Sequence, residues 1–228
     1  MKQKGECCVI GNIIAIASRY GNVFLLGLWN TVWLSVVSVT FASVLGIFIA
    51  LAKMSKIMPL SKVAACYIEV IRGTPMLLQL YFFWLALPNL FPEIPDIICI
   101  LIALVVNASA YVAEIIRAGI QAVDHGQREA AMSLGMTEKK IMSRIIFPQA
   151  IKNILPALGN EVIVMIKQTS LASTFFIGEL MTAYKKVQST TFLALEPLTI
   201  AGLIYLFLTV TLSRLTKRLE QRMRANER

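Results

Sequence analysis

Long apolar stretches separated by short polar segments dominate the pattern of the chain. Between Tyr20 and Ala52 no acidic or basic residue interrupts the sequence, and four further apolar stretches follow. An α-helix needs ~20 mostly apolar residues to cross the hydrocarbon layer of a membrane. The pattern therefore predicts an all-α integral membrane protein with five transmembrane helices, at about residues 24–51, 63–87, 97–116, 155–177 and 192–212.

The segments outside these stretches complete the predicted domain plan. The membrane domain covers residues 24–216, its connection at 117–153 is the longest charged segment, and residues 217–228 form a basic tail. Residues 1–23 are predicted to form a helix at the outer interface, because their apolar run is short and interrupted. A cleaved signal peptide is the alternative for this segment, since two lysines precede the run.

Lysines and arginines are distributed unevenly between the two sides that five spans define. Fifteen fall in the connection after the first span, in residues 117–153 and in residues 214–228, whereas five fall on the opposite side. Basic residues stay on the cytoplasmic side of membrane proteins. The distribution therefore predicts an external N-terminus and a cytoplasmic C-terminus. It also accounts for the net charge of +9 without nucleic-acid binding.

The connection at residues 117–153 carries local signals for two short helices with a tight bend. Leu134-Gly135 is typical of a helix end, because glycine adopts the left-handed conformation that closes many helices. Thr137 is a candidate N-cap of the second helix, and Glu138 places an anion in its first turn. Pro148 is predicted to limit that helix, since the residue before a proline disfavours helix. An ordinary loop between two spans is the simpler interpretation.

Ionisable residues inside the predicted spans form a second group of candidates. A charge at membrane depth costs several kcal/mol unless it is paired or hydrated. Glu69 and Arg72 are three residues apart and close enough to pair on one helix face. Glu161 and Lys167 are six residues apart, so each needs another partner or a wet cavity. Pairing between helices that only fixes the bundle is the structural alternative.

Other polar groups lie in the second and third spans. Gly73-Thr74-Pro75 is predicted to break the second span, because proline removes a helical hydrogen bond. Asn107, Tyr111 and Glu114 are spaced i, i+4 and i+7, so they share one face of the third span. We predict that this face points into the bundle and that some of its side chains reach a translocation path.

One motif in the charged connection consists of Glu129-Ala130-Ala131, Gly135, Ile145 and Pro148. Its spacing resembles the EAA loop of ABC importer permeases, with Phe147 where that family usually has leucine. The resemblance implies the type I ABC importer permease fold. It also implies that these six residues couple the chain to an ATPase, since in that family the loop docks in a groove of the ATP-hydrolysing subunit.

Three further stretches resemble the polar amino acid branch of the ABC permeases, namely residues 69–79, Asn160-Glu161 and residues 167–171. That branch often has aspartate where Gln168 stands. Together, the polar residues of the spans and this resemblance define a candidate substrate path. Its members are Arg72, Thr74, Gln79, Asn107, Tyr111, Asn160, Glu161, Lys167, Gln168, Thr169 and Ser170.

The resemblance implies the permease subunit of an ATP-driven importer of polar amino acids in the bacterial cytoplasmic membrane. The expected partners are a pair of ATPase subunits, a second permease subunit that is identical or homologous, and an extracytoplasmic substrate-binding protein. No G-x-x-x-x-G-K-[ST] loop occurs, so we expect ATP and magnesium on the partner ATPase and no cofactor on this chain. One histidine and no histidine–cysteine cluster give no catalytic or metal site. An ion-coupled secondary amino acid transporter is the alternative function.

Overall fold

The computed structural model describes the backbone of residues 2–225 and the side chains of residues 10–223, and this part of the chain is helical without strands. The α-helices are α1 (Lys2–Lys53), α2 (Met58–Gly73), α3 (Met76–Leu90), α4 (Asp96–Gln121), α5 (His125–Ser133), α6 (Glu138–Ile141), α7 (Phe147–Gln168), α8 (Leu180–Thr191) and α9 (Leu195–Ala225). A π-helical turn, Met142–Ile146, joins α6 to α7, and a 3₁₀ helix, Thr169–Phe175, follows α7. The predicted all-α class is confirmed.

Three helices in the described part of the chain are long and apolar enough to cross a membrane, namely Ile10–Lys53, Asp96–Gln121 and Leu195–Met223. The pair α2 and α3 meets the same criterion only when its two helices are taken together. The predicted fourth span corresponds to α7 and the 3₁₀ helix after it, which hold several charged residues and are not among these. The predicted count of five spans is therefore not confirmed.

The second predicted span is broken where the sequence indicates. α2 ends at Gly73 and α3 begins at Met76, so the helix is interrupted at Thr74-Pro75. Pro75 has no N–H to continue the helical hydrogen bonding. The Thr74 hydroxyl instead donates to the carbonyl of Val70, at 2.9 Å, and so satisfies one carbonyl at the end of α2.

α1 and α9 extend beyond the predicted domain limits. α1 runs without interruption from Lys2 to Lys53, so no helix end separates residues 1–23 from the first span. α9 likewise continues from the fifth predicted span into the basic tail. A continuous helix keeps its backbone hydrogen bonds internal, which is the arrangement that a membrane demands. The interfacial position of residues 1–23 stays a prediction.

One compact unit of the chain has a core built around α8. Phe24 of α1, together with Leu180 and Val187 of α8, is buried in this core. Gly27 allows α1 and α8 to approach closely, since a Cβ at that position would lie 2.8 Å from the Cβ of Ala183. The unit comprises Met1–Val37, Met76–Leu104 and Val164–Thr211.

The other compact unit contains the whole of the charged connection. One part of its core joins α1, α2 and α4 through Ala50, Ile68 and Ala110. Gly46 permits close packing here, because a Cβ on it would lie 2.7 Å from a methyl group of Val112. The unit comprises Ser38–Pro75, Val105–Ile163 and Leu212–Arg228.

Candidate functional site

Both ends of α5 are capped. This helix is the first of the charged connection at residues 117–153, which we call the loop. At its start, the Asp124 carboxylate accepts a hydrogen bond of 2.6 Å from the backbone two residues later. At its end, Gly135 adopts the left-handed conformation, with φ 73°. The Gly135 N–H donates to the carbonyl of Met132 at 2.9 Å, and the next N–H donates to the carbonyl of Ala131 at 3.1 Å. This is the Schellman arrangement, so the predicted helix end at Gly135 is confirmed.

The second helix of the loop begins as predicted but continues further. Thr137 precedes α6 with an extended backbone, although its side chain makes no capping hydrogen bond. Pro148 does not limit the helical run, because it is the second residue of α7, and α7 directly follows the π-helical turn. A π-helical turn shifts the hydrogen bonds to i→i+5, and this local change lets the helical run pass a proline that has no N–H to donate. The prediction that Pro148 limits the second helix is therefore wrong.

One side of the loop packs into the core of its unit. Ala131 of α5 and Ile141 of α6 are almost completely buried, and Ile146 and Ile154 belong to the same cluster. Ile145, a residue of the predicted motif, is partly buried against this cluster. Burial of these apolar side chains packs one side of each short helix against α7.

The opposite side of the loop is exposed and carries an apolar tip. Leu134, immediately before the left-handed glycine, is 81% exposed, and Met132 is 46% exposed. Exposed apolar groups rimmed by polar residues mark contact sites for other proteins. Leu134 was not among the candidate site residues, and a leucine before a capping glycine in a charged loop is the signal that identifies it. The exposed members of the predicted motif are Glu129, Ala130, Gly135 and Pro148.

An ion pair connects the two short helices across the bend. Nη2 of Arg128, on α5, donates to both carboxylate oxygens of Glu138, the first residue of α6, at 2.9 and 2.8 Å. The sequence predicts for Glu138 only an interaction with the dipole of its own helix. The partner of Glu138 lies ten residues away and has no local sequence signal.

Glu114 of α4 is the centre of a charge cluster within its unit. It forms an ion pair with Lys53 at the end of α1 and accepts hydrogen bonds from Nε and Nη2 of Arg117 at 3.0 and 2.8 Å. Arg72, in the last turn of α2, lies 3.9 Å from Oε2 of Glu114. The Arg72 guanidinium also lies 5.3 Å from the ring centre of Tyr111, within cation–π distance.

This cluster corrects the predicted pairing of Arg72. Its ion-pair partner is Glu114, and exposed Glu69 forms no ion pair with another described residue. A half-buried carboxylate attracts a cation more strongly than an exposed one, because less solvent screens the charges. The structure thus brings together two candidate path residues, Arg72 and Tyr111, with Glu114.

The candidates on α7 and the 3₁₀ helix differ in burial. Glu161 is only 6% exposed and forms no ion pair or hydrogen bond with another described residue, whereas Lys167 is exposed. The hydroxyls of Thr169 and Ser170 donate to carbonyls three residues earlier, at 2.8 and 2.6 Å. Of the remaining candidates, Gln79 and Asn107 are buried, Thr74 and Gln168 are half-buried, and Asn160 is exposed.

A buried acid that is not among the predicted site residues, Glu179, holds α8 in place. The Glu179 carboxylate accepts hydrogen bonds from the N–H groups of Met181 and Thr182, at 2.6 and 2.7 Å, and from the Tyr205 hydroxyl of α9 at 3.3 Å. Burial raises the pKa of Glu179, and these donors oppose the shift. The first N–H of α8 also donates to the Thr31 hydroxyl of α1 at 3.0 Å.

A helical membrane chain with ionisable groups in its apolar segments and an exposed two-helix loop has the architecture of a transport permease. Comparison with known proteins defines the class further. The chain belongs to the family described as binding-protein-dependent transport system inner membrane component, which matches residues 42–225. It is therefore an ABC importer permease subunit in a multi-pass membrane protein family, and the secondary transporter alternative is set aside.

Relatives cover most of the chain. The arginine transport system permease protein ArtQ of Bacillus subtilis is 40% identical over 204 residues, which are 89% of this chain and 93% of ArtQ. The glutamine transport system permease protein GlnP of Escherichia coli K12 is 34% identical over 196 residues, 85% of this chain and 90% of GlnP.

Solved structures confirm the fold class. A chain of an amino acid ABC transporter crystallised with histidines is 49% identical, with a TM-score of 0.87, and the match covers 90% of this chain and 96% of that one. A chain of the MetNI methionine ABC transporter is 16% identical with a TM-score of 0.74, covering 88% and 96%. This second match shows the fold alone, and both agree with the predicted type I ABC importer permease fold.

Proposed function

We propose that this chain is the permease subunit of an ATP-driven importer that moves polar amino acids into the cell. The observation that carries the proposal is the fold shared, at 49% identity, with a chain of an amino acid ABC transporter. Relatives named for arginine and glutamine transport support polar amino acids as the cargo class. The chain itself is a transport subunit rather than an enzyme.

The exposed side of the loop is the proposed contact with one ATPase subunit of the pair in the complex. The Schellman bend directs Leu134 outward, while Ala131 and Ile141 hold the other side of the loop in the core. Docked apolar side chains at the centre of an interface supply much of its binding energy. ATP hydrolysis and magnesium binding belong to that partner, and this chain binds no cofactor.

The proposed assembly also contains a second permease subunit, identical or homologous, and an extracytoplasmic substrate-binding protein. The loop faces the cytoplasm of a bacterial cell, with the N-terminus outside the cytoplasmic membrane and the C-terminus inside. The concentration of lysine and arginine in the loop and the tail supports this orientation. No nucleic acid takes part.

The cargo path is proposed from the charges of an amino acid. Glu161, buried without an ionic partner among the described residues, suits an ammonium or another cationic group. Arg72, with a side chain 44% exposed and only a 3.9 Å contact to Glu114, keeps donors for a carboxylate. The other candidates offer mainly neutral hydrogen bonds: Thr74, Gln79, Asn107, Tyr111, Asn160, Gln168, Thr169 and Ser170, with Lys167 as a second cation.

Reconstituted transport tests this function. The complete complex is placed in proteoliposomes, its substrate-binding protein is added outside, and uptake of labelled arginine, glutamine and histidine is measured with and without internal ATP. We expect uptake of at least one of them to require ATP and to persist when ionophores collapse all ion gradients. Uptake driven by an ion gradient without ATP would contradict the proposal.

A variant at the loop tip tests the docking surface. Leu134→Ser removes the exposed apolar side chain, so we expect weaker association with the ATPase and substrate-stimulated ATP hydrolysis reduced severalfold. Leu219→Ser is the matched control, because Leu219 is an exposed leucine of the basic tail outside the loop. Unchanged stimulation in Leu134→Ser would place the ATPase contact elsewhere.

A further inference from the structure

We propose that Arg128 and Glu138 are a positioning pair that sets the angle between α5 and α6 and so controls how efficiently ATP hydrolysis drives transport. The proposal rests on the proposed function of the loop. The two residues are called the ionic clamp below. The clamp acts through the orientation of the docking surface and does not itself bind the cargo.

The location of the clamp gives it control over the bend. Arg128 lies on α5, Glu138 opens α6, and left-handed Gly135 lies between them. The Schellman bonds close the end of α5, but the side chain of Thr137 does not tie the start of α6. The ion pair is therefore the side-chain hydrogen bond that joins α5 directly to α6 in the described structure.

A cavity beside the clamp leaves room for the angle to change. The cavity has a volume of about 100 Å³, and both clamp residues line it together with the apolar side chains of Ile120, Ile141 and Met142. A solid interface would fix the two helices by packing alone. Here the buried side chains of Ala131 and Ile141 hold one side of the bend. On the other side, the clamp joins α5 to α6 beside the cavity.

Because the clamp is exposed, we expect its loss to change the angle between α5 and α6 more than the stability of the folded chain. The side chains of Arg128 and Glu138 are 47% and 60% exposed, and exposed ion pairs contribute little to folding. Both carboxylate oxygens accept from one guanidinium nitrogen, which restricts the relative direction of the two side chains. We expect such a pair to change the population of the competent angle by about two- to fivefold.

The experiment measures molecules of amino acid transported per ATP hydrolysed, with the complete complex in proteoliposomes. The variants are Arg128→Gln, Glu138→Gln, the double neutral variant and the charge exchange Arg128→Glu with Glu138→Arg. Arg218→Gln is the control, because it removes an exposed charge from α9, outside the loop, that makes no ion pair in the described structure. We expect each single variant to lower the ratio two- to fivefold and the double variant to be no worse than either single one.

The charge exchange should restore the ratio to within twofold of the wild type, and Arg218→Gln should leave it unchanged. A wild-type ratio in both single variants would overturn the proposal. So would single losses that add in the double variant or that the exchange fails to recover, since the pairing is what is proposed. Reduced complex yield with an unchanged ratio would show a merely structural role. Failure of the wild-type complex to use ATP would instead defeat the proposed function.

Discussion

Gly135 determines the shape of the charged loop at the scale of a single residue. Its φ of 73° lies in the region that glycine occupies without strain, and no other group lies within 4 Å of the place where a Cβ would be. Substitutions at this position therefore test backbone conformation without adding a clash. The sequence predicted this glycine because a helix end and the residue that closes it are adjacent in the chain.

We expect Gly135→Val to lose substrate-stimulated ATP hydrolysis while the complex still inserts and assembles. A left-handed conformation costs a side-chain-bearing residue ~1–2 kcal/mol, and valine tolerates it especially poorly. Gly135→Asn is the control, since asparagine is the other residue common at this position, and we expect it to keep most of the stimulation. ATPase assays with and without the loaded binding protein measure the effect. Full stimulation in Gly135→Val at normal expression would remove Gly135 from the coupling role.

A second residue-scale prediction concerns Glu161. Glu161→Gln keeps size and hydrogen bonding but removes the charge, so we expect a tenfold or greater loss of apparent affinity for cargo. This corresponds to a charge-assisted hydrogen bond of ~1.5–3 kcal/mol. Basal ATP hydrolysis should stay near normal, and Glu69→Gln, at an exposed acid without an ion pair, should leave transport unchanged. Wild-type transport kinetics combined with lower heat stability would make Glu161 a structural charge.

At the scale of helices, close approach depends on small residues at particular positions. Gly27 faces α8, which is also tied to α1 and α9 by the hydrogen bonds of Thr31 and Glu179. Nothing lies within 4 Å of a Cβ at Gly21, another glycine of α1. The two glycines therefore have different roles in one helix, although the sequence around them does not distinguish them.

We expect Gly27→Ala to lower the stability of the purified complex and Gly21→Ala to leave it unchanged or raise it slightly. The new Cβ at position 27 would lie 2.8 Å from the Cβ of Ala183, and overpacking of this kind costs ~1–3 kcal/mol. At position 21 the higher helix propensity of alanine contributes ~1 kcal/mol in the opposite direction. Thermal unfolding midpoints of the two variants compare them directly. Equal midpoints would mean that α8 shifts away from α1 without cost.

At the scale of the whole molecule, the orientation in the membrane is the property that sequence charge predicts most directly. In the proposed topology Glu93 is external and Lys139 is cytoplasmic. We expect a cysteine at position 93 to react with a membrane-impermeant maleimide added outside intact cells, and a cysteine at 139 to react only after the membrane is opened. The four native cysteines are replaced first. Labelling of position 139 from outside would contradict the proposed topology.

Local features of the fold follow from neighbouring residues, and the sequence predicted them well. The helical class, the end of α5 at Gly135 and the break at Gly73-Thr74-Pro75 each depend on a few adjacent positions or on composition. Helix limits were less accurate. α1 continues through the predicted boundary near residue 23, and the helical run passes Pro148 through a π-helical turn. At Pro148 the surrounding helical hydrogen bonding outweighs a local signal to end the helix.

The sequence by itself determined that this protein is helical, membrane-embedded and equipped with a bent two-helix loop, because periodicity, apolar content and capping are local. Only the tertiary structure decided which charges meet. Arg72 forms its ion pair with Glu114, 42 positions later in the chain, rather than with the neighbouring Glu69. Glu179 accepts a hydrogen bond from Tyr205, 26 residues later. It also decided which of two adjacent alanines is buried and that Leu134 points outward. These partners depend on how the helices pack against one another. Residues that are distant in sequence and pair in this way leave no repeating pattern in the sequence from which the pair could be predicted.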